Sequence, residues 1–310
     1  MTDQKRADEK RTDEQNAARP NNPGPSDPSR REFVTAVVAG LAVTAASTSA
    51  SAAELPVVET NVQIKTPDGT CDASFIHPTS GSHAAVIIWP DAFGLRPATR
   101  DMGKRLAAEG YSVLVPNPFY RVAKAPVFAD ASTFNFQNPE DRAKLTPLMA
   151  SINAPGAAEK DAAAFVAFLD AQPQVNKSRK IGTQGYCMGG PLVVKTAAAI
   201  SNRIGAGASF HGGGLVTANP DSPHLLAPKI KARMYFGVAA NDDKSQPDAK
   251  DKLREVFAAA KVPAEIEVYA SLHGWCMSDM PAPAGAPIYN KPDAEKAWAK
   301  LLALYKTALA

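Results

Sequence analysis

An α/β fold, a mostly parallel sheet flanked by helices in a single domain, is what the sequence predicts, and three observations predict it. Short, continuous apolar runs recur along the chain, the appearance of strands buried on both faces. Helical stretches separate them, so strand and helix alternate as they do in a parallel sheet covered by helices. Of the 310 residues 45% are hydrophobic and 21% charged, enough to bury one sizeable core. Units of up to about 250 residues need no division into two domains.

In chain order, residues 1–29 are rich in Asp, Lys, Arg, Gln, Asn and Pro with hardly any large apolar side chain, and read as a disordered arm. Residues 30–52 read as an export signal of the twin-arginine type. Arg30 and Arg31 precede a mild apolar run, Thr35 to Ala46, and Ala50-Ser51-Ala52 offers a small-residue cleavage site. That run is shorter than the roughly 20 residues that cross a bilayer, so no stable membrane anchor is expected unless an uncleaved signal tethers the chain. The expectation is a periplasmic or secreted protein that meets the export machinery through this segment.

The folded domain is assigned to residues 53–310. Its strands read as Val86 to Trp89, Ser112 to Val115, Lys180 to Thr183, Gly205 to Phe210, Arg233 to Val238 and Glu265 to Tyr269. Its helices read as Pro97 to Glu109, Ala157 to Asp170, Leu192 to Ile200, Asp248 to Ala260 and Asp293 to Leu309, the first stopped by Gly110. From Arg121 to Asn153 no clean period survives Pro126, Pro139 and Pro147. With Phe128, Phe134 and Phe136 in it, this segment reads as a cap over a site.

Composition excludes several classes. A net charge of +3 without a dense Lys/Arg block leaves no electrostatic footprint for nucleic acid. Cys71, Cys187 and Cys276 are too few and too widely spaced for a disulfide framework or a zinc-ligand pattern. No metal or organic cofactor is implied.

Parallel sheets bind ligands outside the carboxyl ends of their strands, and Asp91, Cys187, Asp242 and His273 all fall there. Cys187 lies in Gly185-Tyr186-Cys187-Met188-Gly189, a nucleophile elbow with cysteine in place of serine. Glycines two before and two after suit it, because strand must reverse into helix in one sharp turn with no room for a Cβ. The turn also points the Met188 N–H at the reacting centre as half of an oxyanion hole. A thiol of pKa about 8.5 must be lowered by about two units to ionise at neutrality, roughly 2.7 kcal/mol. A helix N-terminus contributes at most about 2, so an imidazolium partner is needed.

His273, in the loop after the last strand, is the candidate. The acid is Asp242 or its neighbour Asp243, and nucleophile, acid and base then stand in the chain order of hydrolases with such an elbow. His211-Gly212-Gly213-Gly214 resembles a lipase oxyanion motif but follows the nucleophile instead of preceding it. His77, His83 and His224 read as solvated loop residues, and Cys276 as packing.

Taken together, Pro67-Asp68-Gly69, Asp91-Ala92-Phe93-Gly94-Leu95, Val115-Pro116-Asn117-Pro118-Phe119-Tyr120-Arg121, the cysteine elbow, Ala240-Asn241-Asp242 and His273-Gly274 resemble the dienelactone hydrolase family, in this order and over nearly all of residues 53–310. The resemblance implies an α/β-hydrolase fold, Cys187 as nucleophile, His273 as base, Asp242 as its orienter, and the N–H groups of Ala92 and Met188 as oxyanion donors. At the Asp91 position the family has a glutamate that helps to control thiol ionisation, and here the side chain is one methylene shorter. Of the two arginines that hold a substrate carboxylate in the family, Arg121 matches the first and Met277 stands at the second. Phe93, Tyr120 and Trp275 join them as expected substrate contacts.

These residues point to a cysteine hydrolase of a small-molecule ester or lactone that works through a thioacyl enzyme. An exported ligand-binding protein on a catalytically retired hydrolase fold is the alternative. A thiol redox or peroxide sensor is a third reading, weakened by the lack of Cys-x-x-Cys.

Overall fold

The structure, a computed structural model, describes residues 54–281 and 287–310. The segments read as a disordered arm and as a twin-arginine signal lie outside the described residues. Eight strands form one sheet in the order β1-β2-β4-β3-β5-β6-β7-β8. β1 (Val57–Thr66) and β2 (Gly69–Pro78) form an antiparallel hairpin, and β2 meets β4 (Ser112–Pro116) antiparallel. From there β4, β3 (Ala85–Trp89), β5 (Ile181–Tyr186), β6 (Ile204–Phe210), β7 (Arg233–Ala239) and β8 (Ala264–Tyr269) run parallel.

Every residue of β3, β4 and β5 is buried, which is why these strands read as unbroken apolar runs. Alternation along them divides the core. Val86 and Ile88 face one cluster with α1 (Pro97–Ala108) and α7 (Lys291–Ala308), through Leu106, Trp298, Leu301 and Tyr305. Ile87 and Trp89 face the other, with α3 (Ala157–Asp170), α4 (Gly189–Ala199) and α6 (Ala249–Ala259), through Phe165, Val193 and Phe257. The end of α7 is fastened to β5: the Tyr305 hydroxyl donates to Gln184 Oε1 at 3.0 Å, and Arg179 Nε donates to the Leu309 carbonyl at 2.7 Å.

The segment read as an irregular cap contains a helix, α2 (Pro139–Asn153), capped by the Asn138 side chain. Only Leu148 and Ile152 of it are buried and Pro147 lies inside it, so it offers no apolar stripe to read. The helix read from Leu192 begins at Gly189, straight out of the elbow, and a short helix α5 (Ala240–Ser245) carries Asp242 and Asp243. After β3 the chain moves to β4 on one side and then crosses to β5 on the other. The sheet therefore has its topological switch point between the carboxyl ends of β3 and β5, the place where open parallel sheets bind ligands. No helix among the described residues is long and apolar enough to cross a membrane.

Candidate active site

β5 delivers Cys187 to the switch point in a conformation side chains seldom adopt, with φ of +53°. Holding a non-glycine residue there costs about 1–3 kcal/mol, and the surrounding backbone enforces it. A Cβ on Gly185 would lie 2.2 Å from the Gly189 carbonyl oxygen, and one on Gly189 would lie 2.3 Å from that of Trp89. One on Gly190 would meet Ser209 Oγ at 2.4 Å and the Gly212 Cα at 2.6 Å. The elbow glycines are thus required by close approach of three neighbouring backbones. The Cys187 N–H is shared between the Phe210 carbonyl and His211 Nδ1, each at 3.1 Å.

His273 follows β8. Its N–H donates to Asn241 Oδ1 at 2.8 Å, and its Nδ1 meets Asp242 Oδ2 at 2.6 Å. The adjacent Asp243 is taken by Lys250 Nζ at 2.7 Å, so the structure assigns the histidine to Asp242. With Nδ1 on the carboxylate, the other ring nitrogen is left for Cys187, whose side chain lies near enough to favour the charged imidazole. Burial by itself would lower the imidazole, but the bond to Asp242 and the neighbouring Cys187 outweigh it and raise the value to about 10. The other thiols are unsuited to attack: burial, with Asp161 and Asp72 nearby, holds Cys71 far above its ordinary range, and burial with Asp293 does the same to Cys276.

The N–H groups of Ala92 and Met188 meet no backbone or side-chain acceptor among the described residues. Two unpaired donors flanking a nucleophile are the material of an oxyanion hole.

His211 lies behind the pair, fully buried, its ring centre 5.1 Å from that of His273 and 4.9 Å from that of Trp275. Because its Nδ1 accepts from Cys187, its proton sits on Nε2, and burial together with the nearby His273 holds it neutral, well below the ordinary histidine value. Sequence reasoning saw His211 only as an oxyanion motif out of order; its φ of +41° and its bond to the nucleophile's own amide place it as a backing residue.

Several expected pocket residues are placed elsewhere. Arg121 is not free to hold a substrate carboxylate: it spans Asp68 and Asp161, with its shortest bond 2.7 Å from Nη2 to Asp161 Oδ1. The Tyr120 hydroxyl joins the same cluster through Asp161 and Thr66. Met277 is fully buried in the core on the α1 and α7 side, and Trp275 is stacked on Tyr269 and meets His211 edge-on. Phe93 is buried against Phe128, Phe134 and Phe136 under the segment before α2. Asp91, expected to tune the thiol, instead gives both oxygens to Arg96, at 2.7 and 2.9 Å, and Oδ1 also to the Phe93 N–H. Arg96 carried no sequence signal, since its partners do not lie at any helical or strand period from it.

Comparison with known proteins shows the family and the fold. A family model described as the dienelactone hydrolase family matches residues 71–309. A carboxymethylenebutenolidase of Rhodococcus opacus is 27% identical over 211 residues, 67% of this chain and 76% of that protein. Carboxymethylenebutenolidase 1 of Cupriavidus pinatubonensis is 24% identical over 227 residues, 73% of this chain and 87% of its own. Among solved structures, a dienelactone hydrolase-like promiscuous phosphotriesterase from metagenomic libraries superposes with a TM-score of 0.67 at 21% identity, covering 82% of this chain and 99% of that one. The Anabaena variabilis dienelactone hydrolase gives 0.52 at 15% identity, covering 82% and 99%. These structural neighbours share the α/β-hydrolase fold, and by the extent of the family match the chain belongs to the dienelactone hydrolase family.

Proposed function

We propose that the protein is a cysteine hydrolase of small, uncharged esters or lactones that turns over through a thioacyl enzyme. Membership of the family makes it a hydrolase of the ester and lactone class. The observation that carries the finer reading is His273 held between Asp242 and the Cys187 side chain, beside two unpaired N–H groups. The Cys187 sulfur attacks the carbonyl carbon, and the oxyanion forms against Ala92 and Met188. The bond to the leaving oxygen then breaks as His273 gives that oxygen its proton. In a lactone the freed alcohol stays on the acyl group. Water next surrenders a proton to His273 and attacks the thioester, the carbon–sulfur bond breaks, and the acid leaves.

The uncharged substrate follows from the two positions that grip a carboxylate in the family. Arg121 is saturated by Asp68 and Asp161, and Met277 brings no charge. Iodoacetamide is expected to abolish hydrolysis of a neutral activated ester such as p-nitrophenyl acetate and to label Cys187 ahead of Cys71 and Cys276. Full activity in Cys187→Ala would refute the thiol mechanism.

A further inference from the structure

Arg96 stands at the N-terminus of α1 with only 4% of its surface exposed, and each of its five side-chain N–H bonds has an acceptor. Nη1 and Nη2 donate to the two oxygens of Asp91, at 2.7 and 2.9 Å. Nε and Nη2 donate to the two oxygens of Asp279, at 2.7 and 2.8 Å, and the last N–H reaches the Gly94 carbonyl at 3.2 Å. The guanidinium is therefore a double fork between two carboxylates, a geometry that fixes orientation as well as distance.

The two carboxylates belong to the two loops that the reaction has to keep together. Asp91 opens the turn after β3: its Oδ1 accepts the Phe93 N–H and its carbonyl accepts the Gly94 N–H, each at 3.0 Å. Those bonds leave the peptide of Ala92 fixed between them with its N–H unpaired. Asp279 lies in the loop that carries His273, joined to it by the turns Trp275 N–H to Leu272 O and Met277 N–H to Gly274 O. Burying one cation between two anions is an inefficient way to gain stability, which points to a benefit in geometry.

We propose that Arg96 is a positioning residue: by clasping Asp91 to Asp279 it holds the Ala92 oxyanion donor in register with His273. The proposal rests on the hydrolytic reading above, and the clasp acts on the step in which negative charge reaches the carbonyl oxygen. A displacement of about 1 Å between reacting groups can cost about a hundredfold in rate.

Asp279→Ala opens the clasp while leaving the buried pair of Arg96 and Asp91 intact. Turnover of p-nitrophenyl acetate is expected to fall about ten- to a hundredfold in kcat, with KM within about threefold of wild type. Iodoacetamide alkylation of Cys187, which displaces iodide and builds no oxyanion, should keep its rate within about twofold and its pH profile unchanged. Asp279→Asn, which keeps one acceptor for Arg96, should lose less than the alanine variant. A kcat within twofold of wild type in Asp279→Ala would overturn the proposal. So would alkylation and turnover falling together in step with melting temperature, the mark of a structural role alone. Failure of the hydrolytic reading is seen separately, as an inert wild type or an active Cys187→Ala.

Discussion

At the scale of single residues, the proton on His273 governs both rate and stability. The imidazolium that protonates the leaving oxygen persists until the pH approaches about 10. Catalytic efficiency on a neutral ester should therefore hold across the neutral range and fall on an alkaline limb centred near that value. Asp242→Asn removes one of the bonds that raise it, so the limb should move to lower pH while turnover drops by several orders of magnitude. Stability follows the same proton. The folded value lies above the unfolded one of about 6.5, so the charged imidazole contributes fully below that pH. The contribution is then lost as the pH rises through about 10. The gap in melting temperature between wild type and His273→Gln should narrow from pH 7 to about pH 11; a constant gap would show that the pair with Asp242 does not set this value. Adjacent aspartates cannot be told apart by sequence position, and only the bonds of His273 to Asp242 and of Lys250 to Asp243 separate their roles.

At the scale of elements, the site is built by backbone proximity as much as by side chains. Gly189 is helical, so alanine there suits its dihedral angles, yet the added carbon would lie 2.3 Å from the Trp89 carbonyl oxygen and 2.9 Å from that of Pro90. Those atoms lie at the end of β3, on the short stretch that leads to Ala92. Gly189→Ala should thus push the two halves of the oxyanion hole apart, lowering kcat by at least tenfold and stability by about 1–3 kcal/mol, read by steady-state kinetics and urea unfolding. The buried parallel strands and the elbow were legible in the sequence because burial on both faces and a double glycine leave strong local marks. The hairpin of β1 and β2 was legible only through the family-like Pro67-Asp68-Gly69, since β1 lies at the sheet edge and interleaves polar residues with apolar ones. The clasp of Arg96 was not legible at all: Asp279 lies 183 positions away, and a pair formed between two loops obeys no period.

At the scale of the whole molecule, an ion cluster ties the first hairpin to the helical layer. Arg121, after β4, joins Asp68 in the turn between β1 and β2 to the fully buried Asp161 of α3, and Lys160 adds a bond to Asp68 at 3.2 Å. Burial raises the Asp161 carboxyl and its bonds to Arg121 and Tyr120 only partly offset this, so removing the arginine leaves a buried carboxyl with too few partners. Arg121→Ala is expected to cost about 3–5 kcal/mol of stability, measured by chemical unfolding, while the ratio of catalytic efficiencies for a matched carboxylated and methyl-ester pair stays within about threefold. A collapse of that ratio with stability intact would restore Arg121 to the substrate pocket.

The fastening of α7 to β5 has a consequence in time. The strand that presents the nucleophile shares its sheet with neighbours made both before and after it, and Gly182, its second residue, is packed so closely under Tyr305 that a Cβ there would come within 2.8 Å of the ring. Leu309 covers the same glycine, and its carbonyl is bonded from Arg179 just ahead of the strand. In order of synthesis, α7 follows every strand and every loop that carries a reacting group. A growing chain can therefore possess its cysteine, aspartate and histidine before one face of the nucleophile's strand has received its cover, and reactivity toward esters should emerge late, with the arrival of the last helical turns.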